Sequence, residues 1–146
     1  MTLLPGGSYF SSSDSFGMIR GGHLDVTMLG SFQVSEGGDI ANWMVPGQLM
    51  KGMGGAMDLV SSGSRVIVLM KHSAVKKGEV EPKLVGKCSF PLTGRGVASM
   101  VITELAVFEN ISGKLVLTEL SDNVTLQEVQ EQTGFTITPA ASIRRF

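Results

Sequence analysis

The places where this sequence could do chemistry are a glycine-rich stretch and a few scattered polar side chains. In "LMKGMGGAMDLV", residues 49–60, Gly52, Gly54 and Gly55 precede a run that can form a short helix. Glycine loses the most backbone freedom on folding, so this clustering needs a physical reason. A dinucleotide loop would need G-x-G-x-x-G, but the third position is Met57. No lysine followed by serine or threonine closes the run, so it is not a P-loop either. Two readings stay open. Successive unhindered N–H groups ahead of a helix make a concavity that attracts developing negative charge, the geometry of an oxyanion hole. Alternatively, glycine lets the backbone approach a neighbouring strand closely.

The other reactive side chains stand apart from one another. Asp39 and Asn42 lie in "GDIANW" beside Trp43, where an asparagine can orient a reacting group or cap its own loop. His23 opens a strand with no second ligand nearby, as expected of a structural histidine. Cys88, between Lys87 and Ser89, reads as a small buried hydrophobe in a strand. Lys76 and Lys77 can hold a phosphate as point charges or simply be solvated. Asp58 falls in the helix after the glycines. Glu104 falls in an apolar segment expected to be a buried strand, where an acid needs a partner; it is a candidate acid or nucleophile, or half of a salt bridge.

Bulk properties narrow the classes. A chain of 146 residues is sized for one domain. Charged residues make up only 17%, and the mean hydropathy of +0.23 points to apolar surface that meets a partner chain. A net charge of −1 argues against nucleic-acid or anionic-membrane binding. The single cysteine excludes an internal disulfide, and two histidines argue against a histidine-built metal site. No apolar run approaches the ~20 residues of a membrane span, and "MTLLPGGSYF" does not read as a signal peptide.

Helices and strands must position these groups. "SSSDSFGMIRGG" predicts a capped short helix ended by Gly21-Gly22, and Leu24 to Leu29 a buried strand. "SEGGDIANWMVPGQ" reads as a loop and "AMDLVSS" as a short helix. Arg65 to Met70 is a continuous apolar run, expected to be a strand covered on both faces. "HSAVKKGEVEPK" is loop-like, and "KLVGKCSFPLTG" is a short strand ending before Pro91. "MVITELAVFEN" and "LVLTELS" predict two strands joined by a tight turn. Thr125 and Glu128 have capping-box spacing at the start of a helix whose inner face is Leu126 and Val129, and "FTITP" is a last strand. The whole predicts an α/β fold, a layered open sheet with short helices and an antiparallel hairpin near the C-terminus.

Three motifs in order, "RGGHLDVTMLG", "GDIANWMVPG" and "GMGGAMDL", closely resemble the β half of family I CoA-transferases of the 3-oxoacid type. The likeness continues through "KHSA", "KCSFPLTG" and "VITELAVF". It implies a CoA-transferase-like α/β domain spanning 1–146. It also implies movement of CoA between succinyl-CoA and a 3-oxo acid such as acetoacetate, with CoA as substrate and no permanently bound cofactor or metal. The implied partner is an α-type subunit or domain in a homo- or hetero-oligomer, without nucleic acid or membrane. Family members are cytosolic in bacteria and lie in the mitochondrial matrix in eukaryotes. Residue by residue, Gly55 matches the glycine whose N–H helps form the oxyanion hole, Gly52 and Gly54 shape that loop, and Asn42 matches a polar residue near the nucleophile. Lys76 or Lys77 takes the place of a lysine near CoA, with Val75 intervening.

The family nucleophile is the glutamate of a Glu-Asn-Gly motif preceding "LPGGSYF". These 146 residues contain no such triplet; Glu109-Asn110 is followed by Ile111. The expectation is therefore an N-terminally truncated β-type domain with an open sheet edge and exposed apolar surface. The alternative is a non-catalytic paralogue serving as a CoA-binding or assembly module.

Overall fold

The computed structural model describes residues 3–47, 52, 54–76 and 78–146. In chain order the elements are α1 (Ser12–Arg20), β1 (Val26–Leu29), β2 (Gln33–Ser35), β3 (Ile40–Ala41), α2 (Ala56–Ser61), β4 (Arg65–Leu69) and β5 (Ser73–Lys76). They continue with β6 (Glu79–Pro82), β7 (Leu84–Val85), β8 (Ala98–Ile102), β9 (Ala106–Ile111), β10 (Lys114–Leu120), α3 (Leu126–Glu131) and β11 (Thr138–Arg145). The main sheet has the order β1-β4-β8-β9-β10-β11. β1, β4 and β8 are mutually parallel, β9 is antiparallel to both its neighbours, and β11 runs parallel to β10. A second sheet, β3-β2-β7, and the β5-β6 hairpin complete the architecture. The layered α/β fold with the β9–β10 antiparallel hairpin is the one the sequence predicts.

Two helices start where their caps say. Ser11 accepts the backbone N–H of Asp14, whose carboxylate accepts the Ser11 N–H; Thr125 and Glu128 repeat the exchange at α3. Each pairing satisfies two N–H groups that a helix start leaves without partners. Val129 is buried on the inner face of α3, whereas Leu126 is exposed.

The core lies on one side of the main sheet. Leu29, Val68, Val101, Phe108 and Leu117 stand opposite one another in cross-strand register, and the last four are fully buried. Val60 of α2, Val129 of α3, Val34, Ile40 and Leu84 of the second sheet pack on them.

Several expectations change. "MVITELAVFEN" is two strands, not one, because Thr103 folds the chain back: its hydroxyl donates to the Ala106 carbonyl and accepts the Leu105 and Ala106 N–H groups. Glu104 thus lies in an exposed turn rather than in a buried strand. β4 alternates buried and exposed instead of being covered on both faces. The loop-like "HSAVKKGEVEPK" forms the β5–β6 hairpin, paired from Ser73–Pro82 to Lys76–Glu79 with Gly78 at φ +86. "GDIANW" contributes the short β3, β7 ends before Cys88, and the last strand begins after "FTI".

Candidate functional site

Gly54 and Gly55, the described end of the glycine run, lead directly into α2. α2 feeds straight into β4, so it runs back along the sheet and its first residues point toward the carboxyl ends of β1 and β4. That end of an open parallel sheet is where ligand crevices form. Gly52 and Gly54 have φ +79 and +52, left-handed values that L side chains rarely adopt. Gly55, the residue ahead of α2, has an ordinary φ of −84 and is glycine for another reason. A Cβ there would collide with the ring tip of Phe16 on α1. The close approach that the sequence leaves open is therefore real, but to a helix-borne ring and not to a strand. The same two helices are tied by a two-pronged ion pair, Arg20 Nε and Nη2 on Asp58 Oδ1 and Oδ2 at 2.8 and 3.1 Å. The guanidinium holds the Asp58 carboxyl below its usual range, so Asp58 is the anchor of α2. Lys51, Met53 and Lys77 lie outside the described residues.

Asn42 is held at the carboxyl end of β1. Its Nδ2 donates to the Gly30 carbonyl at 3.1 Å, its Oδ1 accepts the Thr93 hydroxyl at 2.6 Å, and its N–H donates back to Thr93 Oγ1. It pins three loop segments together, which is a positioning arrangement. Trp43 Nε1 donates to the Leu92 carbonyl, and Asp39 Oδ1 accepts the Gly96 N–H. Asp39 and Trp43 thus secure the same loops.

Next to this loop lies a cavity of about 370 Å³. Phe32, Val45, Phe90 and Pro82 line it, with Lys76 and Lys83 among its polar groups. Lys76 is exposed, 3.9 Å from Glu81. Burial pulls the Lys83 ammonium below its usual range, and the nearby Glu104 carboxylate works in the opposite direction. An apolar cleft with two cations and the Glu81 carboxylate suits a ligand that has an organic body and polar groups.

His72, in the "KHSA" motif, is fully buried. Nδ1 lies 3.0 Å from Thr103 Oγ1 and Nε2 2.9 Å from Thr133 Oγ1, while its backbone N–H donates to Glu104 Oε2. Thr133 Oγ1 also lies 2.7 Å from the Val129 carbonyl oxygen. Burial pushes the imidazole down to about 4, with Glu104 opposing it. His72 joins the β8–β9 turn to the end of α3, and its ring lies 6.1 Å from that of Phe108. Sequence reasoning misses this link because its members are separated by 31 and 61 residues. Glu104 is the acceptor in it, and is exposed rather than buried.

His23 is exposed just after α1, its N–H on the Met18 carbonyl. Cys88 donates to the Asp39 carbonyl, and burial, then the Asp39 charge, raise its thiol to about 11. It is a protonated packing group outside any strand. Among the described residues no three His, Cys, Asp or Glu side chains converge as metal ligands, and no helix is long and apolar enough to cross a membrane.

Comparison with known proteins gives this arrangement a family. The coenzyme A transferase family model matches residues 1–132. Over 133 residues the chain is 53% identical to the B-type subunit of the probable succinyl-CoA:3-ketoacid coenzyme A transferase of Bacillus subtilis, covering 91% of this chain and 60% of that subunit. It is 54% identical over 136 residues to the mitochondrial succinyl-CoA:3-ketoacid coenzyme A transferase 2A of Rattus norvegicus, covering 92% of this chain and 26% of that enzyme. The fold matches an acyl-CoA transferase apoenzyme from Escherichia coli O157:H7 with a TM-score of 0.79 at 22% identity, over 94% of this chain and 30% of that one. The chain thus spans less than two thirds of each of these relatives, and on the family model, which matches residues 1–132, it belongs to the coenzyme A transferase family.

Proposed function

We propose that this chain supplies the oxyanion-hole portion of the B-type half of a 3-oxoacid CoA-transferase, which moves CoA between succinyl-CoA and a 3-oxo acid such as acetoacetate. A glutamate outside these 146 residues attacks the thioester carbonyl, giving a mixed anhydride and CoA thiolate. The thiolate then attacks the glutamyl carbonyl, releasing the first acid and leaving an enzyme–CoA thioester. The acceptor acid reverses the two steps.

In both additions an oxygen gains negative charge, and the Gly55 N–H is the group we assign to it. Gly52 and Gly54 supply the left-handed backbone angles ahead of it, and Asn42 fixes the neighbouring loop without reacting. The Phe32–Phe90 cleft and Lys76 take part of the CoA body and its phosphates. An α-type subunit completes the acid pocket.

One observation carries the reading: Gly55 of the family motif opens α2, which feeds into the parallel strand β4, with Gly54 required by its backbone angle and Gly55 by Phe16. The test is trapping of the enzyme–CoA thioester with borohydride in the presence of succinyl-CoA and an α-type subunit. A chain extended with the Glu-Asn-Gly segment should be trapped stoichiometrically and the 146 residues alone should not. Trapping on the 146 residues alone refutes the external nucleophile, and failure of the extended chain refutes the transferase reading.

A further inference from the structure

β4 and β8 are parallel neighbours whose last pair is Leu69 and Ile102, so the segments leaving them emerge side by side. One carries His72 and Ser73, where the β5–β6 hairpin begins, and the other carries Thr103 and Glu104. The His72 ring lies between Thr103 Oγ1 and Thr133 Oγ1 at 3.0 and 2.9 Å, and its backbone N–H donates to Glu104 Oε2. Its carbonyl accepts the N–H of Lys83, just past the other end of the hairpin, at 3.2 Å. Ser73 Oγ donates to Gln132 Oε1 at 2.8 Å. The root of the hairpin is thus gripped from the β8–β9 turn and from the end of α3.

Beyond that root little else holds the hairpin. Among the described residues no hydrogen bond joins 74–76 or 78–82 to another element, and β5 and β6 pair only with each other. Ala74, Val75 and Lys76 are exposed. Yet these residues and Glu81 line the cleft. The rest of its lining is braced differently. Gln33 Oε1 accepts the N–H groups of Ser89 and Phe90 at 2.9 and 3.2 Å, which ties the Phe32–Gln33 segment to Phe90. One wall is fixed along its length and the other only at its root. Lys76 stands three residues out from Ser73, roughly 10 Å at the rise of a strand, so a small rotation at the root moves its ammonium far.

We infer that His72 and Ser73 are positioning residues of this cleft. They set the angle of the hairpin, and through it the distance between the Lys76 ammonium and the phosphate groups of a ligand seated on Phe32 and Phe90. Neither side chain lines the cleft, so both act through Lys76. The inference rests on the reading of this cleft as a site for the CoA body and deepens it.

The experiment follows transfer from succinyl-CoA by the chain extended with the Glu-Asn-Gly segment, together with an α-type subunit. Ser73→Ala should raise KM about fivefold, the scale of one lost hydrogen bond, with kcat within about twofold and the thioester still trapped stoichiometrically at saturation. His72→Asn keeps a polar group toward Thr103, gives up the Thr133 contact, and should raise KM to a similar degree. Lys76→Ala should raise KM in the parent and add nothing in the Ser73→Ala background, because the two changes remove one interaction. Hydrogen exchange, measured on these 146 residues alone, should quicken at least fivefold over 74–76 and 79–81 in Ser73→Ala while β8 and β10 stay unchanged. When Lys76→Ala alone raises KM, an unmoved KM in Ser73→Ala, additive effects of the two changes, or a loss confined to kcat overturns the inference. When Lys76→Ala alone leaves KM unchanged, the CoA reading of the cleft is what fails, and unchanged exchange in Ser73→Ala overturns the anchoring role.

Discussion

The two faces of the six-stranded sheet use similar residues to different ends. One row is Leu29, Val68, Val101, Phe108 and Leu117, and the row offset by one residue is Met28, Ile67, Met100, Glu109 and Val116. Both are mostly aliphatic or aromatic, but the first is buried under helices and a second sheet while the second is half open. Apolar character therefore reports what a face is built to meet, and only the surrounding chain decides whether it has met it. The difference also divides the molecule by task. The covered face holds the fold together and carries the loop ahead of α2. The other face stays half open.

The largest test of that division is truncation on the covered face. Phe108→Ala should cost roughly 3–5 kcal/mol, the range for a large aromatic removed from a packed core. Thermal or urea unfolding of the variant against the parent measures it; a loss below about 1 kcal/mol would mean that the covered face is not the stability core. Acid pH probes the same side through His72. The unfolded imidazole takes a proton near 6.5, while the folded one resists until about 4. Stability should be complete above 6.5 and fall as pH drops from 6.5 to 4, by about 3 kcal/mol in all. Urea midpoints across that window check it, and His72→Gln should flatten the profile there.

How legible this was depended on whether the signal is local. The Ser11–Asp14 and Thr125–Glu128 caps are contained in four residues, and both helices begin as expected. The glycine loop was legible as a site candidate, but its partner Phe16 lies 39 residues earlier in the sequence (55 − 16) and could not be paired with Gly55 from spacing. The Thr103 turn hides in an unbroken β-prone run, because a threonine side chain does the work glycine or proline usually announces. His72 depends on two distant hydroxyls. The run "RVIVLM" is the instructive departure. Its uniform apolarity predicts cover on both faces, while β4 has cover on one.

Gly55→Ala gives a smaller effect than either core change. The added methyl meets the end of the Phe16 ring, which can swing, so roughly 1 kcal/mol is expected, at the low end for overpacking. Phe16→Leu in the same chain should recover most of the loss. Alanine keeps the N–H, so in a complete enzyme the double variant should also recover transfer; if stability returns and transfer does not, the loop geometry matters beyond that packing.

The smallest expected effect sharpens the contrast most. Met28 is 64% exposed at the open edge, and Met28→Lys leaves its stem on the sheet while placing the ammonium in water. In the isolated chain it should change stability by less than about 0.5 kcal/mol, the usual scale for exposed sites. Phe108, separated from it by two strands of the same sheet, should lose several times as much. In any assembly that covers this face, a lysine at Met28 must bury its charge or prevent the contact, and the order of the two positions narrows or reverses when assembly is measured. Equal small effects of Met28→Lys on folding and on assembly would mean that the bare face stays bare, and the asymmetry would then be a property of the sheet and not of its partner.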